Sequence, residues 1–267
     1  MKPHKAVALI DSGVGGLTVA KEVMNQMPNE KLIYFGDLVH MPYGPRSKKE
    51  LKNFICQITD FLMSQDIKML IVACNSASAA GLGEIRAKFE IPVIGVIEPG
   101  ARAAVSKTEN GKVGVIGTTG TIDSNAYEKT IKKIDPSVEV YSKACPLFVL
   151  LVENDLISSN EALVVAREYL NPLKDVGVDT IILGCTHYPL MSDVIQQVVG
   201  PDITLINSAK VIAQKATNIL EQKNLLRFNE KPPRHRFYVS GYSEKFQELG
   251  KKFLDYELKA YEVKISE

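Results

Sequence analysis

The stretch LIVACNSAS, residues 70–78, passes from an unbroken apolar run straight to a thiol, an amide and a hydroxyl at Cys74, Asn75 and Ser76. TIILGCTHYP, residues 180–189, repeats the design, with Cys185 followed by Thr186 and His187. A short apolar run ending in small polar residues reads as a buried strand feeding a helix. Several such units in succession make a parallel sheet covered by helices on both faces. Sites on these sheets lie at the carboxyl ends of the strands, which is where both cysteines fall.

Working outward, residues 6–10 (AVALI) form another buried strand. It ends at Asp11-Ser12-Gly13-Val14-Gly15-Gly16, a glycine turn opening a helix from Leu17 to about Met27, before Pro28. Residues 31–35 are a second strand, and 36–46, with Asp37, Pro42, Tyr43, Gly44 and Pro45, are an irregular loop. The stripe Leu51, Phe54, Ile55, Ile58, Phe61 and Leu62 predicts a helix over 51–63, on which Cys56 is packing. After the Cys74 strand and a helix through Lys88, residues 92–96 are one more strand. From Glu98 the pattern restarts: 112–116 lead into Gly117-Thr118-Thr119-Gly120-Thr121, a layout like 10–16. A helix near 124–134, a strand at 139–141 and helices across 146–173 then precede the Cys185 strand. Each half thus supplies a hydroxyl-rich turn and later a thiol-bearing one. This is a weak internal repeat, with convergence on common βα chemistry as the alternative. A strand at 202–206, a helix at 209–222, a polar link at 223–235, RFYVSG, a helix at 244–253 and a short strand follow, and the residues alone leave open which half they join.

With 267 residues, 45% hydrophobic and 24% charged, the chain buries one large core or two compact ones. Lys and Arg number 32 against 31 Asp and Glu, so charge favours neither nucleic acid nor an anionic membrane, and a charged ligand must be recognised locally. The N-terminus lacks the apolar core of a signal peptide and no stretch suits a membrane helix, so a soluble cytosolic protein is expected. The four cysteines have no C-x-x-C pairing and only four histidines exist, which argues against disulfides and zinc.

A cysteine within a strand is usually inert core. At a strand exit, the helix N-terminus that follows lowers a thiol pKa. Cys74 and Cys185 share that setting, so a catalytic pair is weighed above a core cysteine or a lone nucleophile. His187 either orients substrate or pairs with a thiol, a satisfied structural histidine being the competing reading. Asp11 either caps the glycine turn or meets an ammonium group, and Ser12, Asn75, Ser76 and Thr186 are good caps that can also hold a ligand. Tyr43-Gly44 belongs to an exposed loop turn able to help hold a small ligand. The glycine turn lacks both the dinucleotide pattern and a phosphate-loop lysine, making a nucleotide a poor first guess. The pieces together describe a cleft suited to a small anion and flanked by two thiols. That fits two-base proton transfer, in which one thiolate removes a proton from a tetrahedral carbon and a thiol opposite returns one. A cysteine-nucleophile hydrolase or transferase, and a non-catalytic amino-acid sensor, are the rival readings.

The motifs DSGVGG, PYG (42–44), ACNSASA, VGVIGTTGT, ACPLF, VEN and LGCTHYPL, in order from about residue 6 to 209, resemble the glutamate racemases of the cofactor-independent aspartate/glutamate racemase group. The resemblance implies two pseudo-symmetric α/β domains, each a mostly parallel sheet flanked by helices, with the active site between them. The first would be 1–97 completed by 207–267 and the second 98–206. It implies interconversion of L- and D-glutamate without a cofactor or metal, D-glutamate going to the cell wall, and a homodimer with no need of nucleic acid or membrane. Cys74 and Cys185 match the proton-transfer cysteines, Cys185 acting on L-glutamate and Cys74 on D-glutamate. Asp11, Ser12, Tyr43, Gly44, Asn75, Ser76, Thr186 and His187 match the substrate-binding positions, Asp11 and His187 also assisting the neighbouring thiols. The chain departs from the family pattern at Ser76, where threonine is usual, at 38–41 (LVHM), and at Leu150, where proline is usual. Aspartate racemase is the near rival; the CTHYP and PYG motifs favour glutamate.

Overall fold

The computed structural model describes residues 2–228 and 231–265. Met1, residues 266–267 and, in the polar link, Asn229 and Glu230 lie outside the described residues. The strands are β1 (Ala6–Asp11), β2 (Leu32–Gly36), β3 (Ile67–Val72), β4 (Val93–Gly95), β5 (Lys112–Gly117), β6 (Glu139–Ala144), β7 (Thr180–Gly184), β8 (Thr204–Ile206), β9 (Arg236–Val239) and β10 (Ala260–Glu262). They form two sheets, ordered β10-β9-β2-β1-β3-β4 and β6-β5-β7-β8, with every described pairing parallel. The C-terminal strands therefore extend the first sheet, the choice that the residues alone left open.

Set β9 and β10 aside and the two sheets have the same order: second strand, first, third, fourth. The internal repeat is thus one of topology as well as of motif layout. In both, the order reverses between the first and third strands, the position where α/β sheets open a crevice at their carboxyl ends. The registers bring the exits together: Ile10 pairs with Val72 and Gly117 with Gly184. Asp11 and Cys74 consequently leave one sheet side by side, and Thr118 and Cys185 leave the other.

Strands β1 and β3 are buried along their whole length, as expected where helices cover both faces. The one cation among them, Lys68, lies at the far end from the thiols, with Nζ 2.7 Å from Glu30 and from the carbonyls of Pro3 and Leu225. Helix Lys48–Met63 starts three residues before its apolar stripe because Ser47 and Glu50 form a capping box. Helix Ile97–Lys107 was not expected. Its Pro99 is tolerated because it falls in the first helical turn, where its missing N–H has no intrahelical partner anyway. This helix packs on the second sheet, whereas helix Ser208–Gln222 buries Ile212, Ala213, Ala216 and Leu220 in the core of the first. Among the described residues no helix is long and apolar enough to cross a membrane.

Candidate active site

The carboxyl ends of the two sheets face each other across a small, partly open cavity of about 20 Å³. Nine of the predicted site residues line it: Ser12, Tyr43, Gly44, Cys74, Asn75, Ser76, Cys185, Thr186 and His187. Met41, Pro42, Thr118 and Val149 complete the wall. Asp11 stands behind it.

Cys185 follows β7 directly and precedes a 3-10 turn, Tyr188–Met191, so His187 folds back beside it. Cys185 Sγ lies 3.7 Å from His187 Nδ1, and His187 Nε2 lies 2.8 Å from Glu153 Oε1. Burial works against a charge on this imidazole, but the hydrogen bonds to the Cys185 sulfur and the Glu153 carboxylate outweigh it and hold its pKa up at about 10. At neutral pH His187 is therefore an imidazolium, a cation placed to stabilise negative charge on the Cys185 sulfur.

Cys74 is the N-cap residue of helix Asn75–Lys88, with Sγ 4.0 Å from Ser12 Oγ. The helix terminus does act to lower its pKa, through the Ala77 N–H, but burial outweighs it. Complete burial pushes the thiol well up, the Asp11 carboxylate adds to this, and the Ala77 N–H and Ser12 hydroxyl offset only part. The matched sequence settings thus yield unlike thiols, a neutral one at Cys74 and one paired with a cation at Cys185.

Asp11 takes the turn-capping role: Gly13 and Gly16 N–H donate to Oδ2 at 3.1 and 2.9 Å. Thr186 Oγ1 donates to Oδ1 at 3.2 Å from the other half of the molecule. The glycines make this contact possible, since a Cβ on Gly15 would sit 2.5 Å from His187 Nδ1. Buried Asp11 still has a raised pKa, because desolvation exceeds what His187 and these donors return.

The other capping expectations need correction. Asn75 and Ser76 are the first residues of their helix and send their side chains across the cleft instead. Asn75 Oδ1 accepts from Tyr127 Oη at 2.7 Å, and Ser76 Oγ lies 2.9 Å from Thr118 Oγ1 and 3.2 Å from Thr121 Oγ1. Thr186 spends its hydroxyl on Asp11 rather than on its own turn. Tyr43 is buried, not exposed, and its hydroxyl donates to Asp37 Oδ2 at 2.6 Å, leaving only its ring and backbone for the cavity. Gly44 O accepts from Gly120 N at 3.0 Å, which joins the loop at 36–46 to the glycine turn at 117–121 across the cleft.

Three residues that matter here were missed as site residues. Thr118 was legible, because the internal repeat sets it opposite Ser12. Glu153 had a weaker signal, a lone acid ending the apolar helix Leu147–Glu153. Tyr127 gave none, since its place on helix Ala126–Ile134 reads as ordinary core.

Against known proteins, residues 18–216 match the family model for Asp/Glu/hydantoin racemases. A glutamate racemase of Oceanobacillus iheyensis is 47% identical over 92% of this chain and 90% of its own length. Among solved structures, a glutamate racemase from Bacillus anthracis superposes with a TM-score of 0.96 at 43% identity, covering 98% of both chains. The glutamate racemase from Francisella tularensis in complex with D-glutamate superposes with a TM-score of 0.93 at 37% identity, covering 99% of both. With two thiols at the facing ends of two topologically matched sheets, and with relatives of this similarity over nearly its full length, the chain belongs to the Asp/Glu/hydantoin racemase family, on its glutamate racemase branch.

Proposed function

We propose that the chain interconverts L- and D-glutamate by two-base proton transfer between Cys74 and Cys185, and that 1–97 with 207–267 and 98–206 are the two units that carry these thiols. The carrying observation is the asymmetry of one shared cavity: a deeply buried thiol on one side, and on the other a sulfur beside an imidazolium held by Glu153. In the L-to-D direction the Cys185 thiolate takes the α-proton and becomes a thiol, leaving the electron pair on the α-carbon. The Cys74 thiol delivers its own proton to the opposite face and becomes a thiolate. The reverse reaction exchanges the roles, and proton exchange resets the pair. Two thiolates in one small cavity repel strongly, so the working enzyme holds one charge between them.

With no cofactor to spread the carbanion's charge, the α-carboxylate must be held by donors that strengthen as charge builds. Ser12, Asn75 and Ser76, with backbone N–H groups at the two strand exits, are the candidates, the Thr186 hydroxyl being committed to Asp11. The family resemblance supports supply of D-glutamate to the cell wall from the cytoplasm. A homodimer is part of the same proposal, Leu147 and Leu150 being exposed apolar residues on helix Leu147–Glu153 available to a second copy.

Incubation with L-glutamate in deuterated water tests the chemistry. The D-glutamate formed should carry deuterium at the α-carbon, while unreacted L-glutamate gains little early in the reaction. Cys74→Ala and Cys185→Ala should each lower racemisation by about 10²–10⁴-fold. Equal early labelling of both enantiomers, or near-normal turnover in either variant, would sink the two-base assignment.

A further inference from the structure

Tyr127 is buried in the core of the second sheet, yet it touches both thiol-bearing turns. Its ring lies against Gly184, the residue before Cys185, where an added Cβ would come within 3.3 Å of Tyr127 Cε2. Its hydroxyl donates to Oδ1 of Asn75, the residue after Cys74, at 2.7 Å, with Ser208 Oγ more distant at 3.5 Å. A phenol has one proton to give, and the shorter contact goes to an amide oxygen, which can only accept. Burial, with the Cys185 charge adding to it, pushes the phenol pKa well up, so it remains a donor throughout the working range.

An amide presents a carbonyl or an NH₂ to a ligand depending on which way it is turned. Asn75 lines the site cavity, its Oδ1 is taken by Tyr127, and its Nδ2 donates to no protein acceptor among the described residues. The cavity is thereby offered a donor, suited to a carboxylate and unsuited to an ammonium group. We infer that Tyr127 is a positioning residue for the racemase site, fixing the Asn75 amide so that its NH₂ meets a substrate carboxylate. The inference rests on the reading of Asn75 as a substrate contact. Because Tyr127 belongs to the second sheet and Asn75 to the first, the amide is also set only when the two units are together. A substrate carboxylate therefore gains its Asn75 contact on closure.

Tyr127→Phe keeps the ring and removes the proton. In this variant KM for glutamate should rise about tenfold, the effect of roughly one to two lost hydrogen bonds, with kcat within about threefold of the parent. A double-mutant cycle separates positioning from packing. In an Asn75→Ala background, Tyr127→Phe should change KM by less than about twofold, because the group it orients is gone. If Asn75→Ala turns over too slowly, the dissociation constant for D-glutamate from calorimetry replaces KM for all four proteins. An unchanged KM in Tyr127→Phe overturns the inference, as does a tenfold rise that persists without Asn75. If Asn75→Ala itself leaves glutamate binding unchanged, the substrate-contact reading of Asn75 falls and the inference falls with it, while the two-cysteine chemistry stands on the deuterium result.

Discussion

At the scale of single residues, the site is governed by which charges its burial tolerates. Asp11 is wholly buried and its carboxyl pKa is raised, so the folded protein holds its proton more tightly than the unfolded chain does. The sign follows: its contribution turns unfavourable as pH rises through its unfolded value and stays so above the folded one. Asp11→Asn should therefore raise the melting temperature at pH 7 while lowering racemisation, and the stability advantage should shrink as pH approaches 4. A melting temperature below the parent at pH 7 would show that the hydrogen bonds to Gly13, Gly16 and Thr186 need a true carboxylate. His187 has the opposite sign. Its folded pKa of about 10 exceeds the ordinary imidazole value of 6.5, so its pairing stabilises the fold fully below about 6.5 and is lost as pH rises through 10. A pH–rate profile should lose activity on its alkaline side near that value, and Glu153→Gln should move this limb to lower pH.

At the scale of elements, strands carry the chemistry by where they stop. The βα succession was readable because buried parallel strands are plain apolar runs and their exits are polar. Both cysteines, the glycine turn at 11–16 and the parallel sheets followed from that pattern alone. What it did not convey was burial depth. Cys74 and Cys185 look alike in sequence, but the fold sets the Asp11 carboxylate near one and, within the second half, brings Glu153 behind the His187 that pairs with the other. The same ignorance placed Tyr43 at the surface, where a loop's fold back onto its own Asp37 leaves no periodic signal, and gave Asn75 and Ser76 to capping, since their partners Tyr127 and Thr118 are distant in the chain. Gly184 illustrates how tightly a strand end is held. A Cβ there would stand 2.5 Å from Ile116 O, a backbone atom of the neighbouring strand that cannot swing aside. Gly184→Ala should destabilise the protein by about 1–3 kcal/mol, measured by denaturant unfolding, and should lower kcat by displacing Cys185. Parent-like stability would mean that the β5–β7 pairing is looser than this contact implies.

At the scale of the whole molecule, the cavity between the sheets has room for about one water molecule, so an amino acid fits only if the two units part. The contacts that must break are mostly polar: Thr186 to Asp11, Ser76 to Thr118, Tyr127 to Asn75, Gly120 N to Gly44 O, and Lys252 to Asp155. Each has a net worth of only about 0.5–1.5 kcal/mol, because water satisfies the same groups once they separate. The apolar cores, by contrast, stay within their own sheets except at Phe253, which packs against both. Opening is therefore affordable without unfolding, on the microsecond-to-millisecond scale of domain motions. Joining the units should abolish turnover for want of entry, not for want of chemistry. Ser76 Oγ and Thr118 Oγ1 are 2.9 Å apart, close enough for the doubly substituted Ser76→Cys, Thr118→Cys protein to form a disulfide across the cleft. Oxidised, it should lose more than about tenfold of the racemase activity that the same protein shows after reduction, while each single variant responds to reductant as the parent does. If the cross-linked protein, its disulfide verified by mass spectrometry, turns over as fast as the reduced one, substrate reaches the thiols without separation of the units.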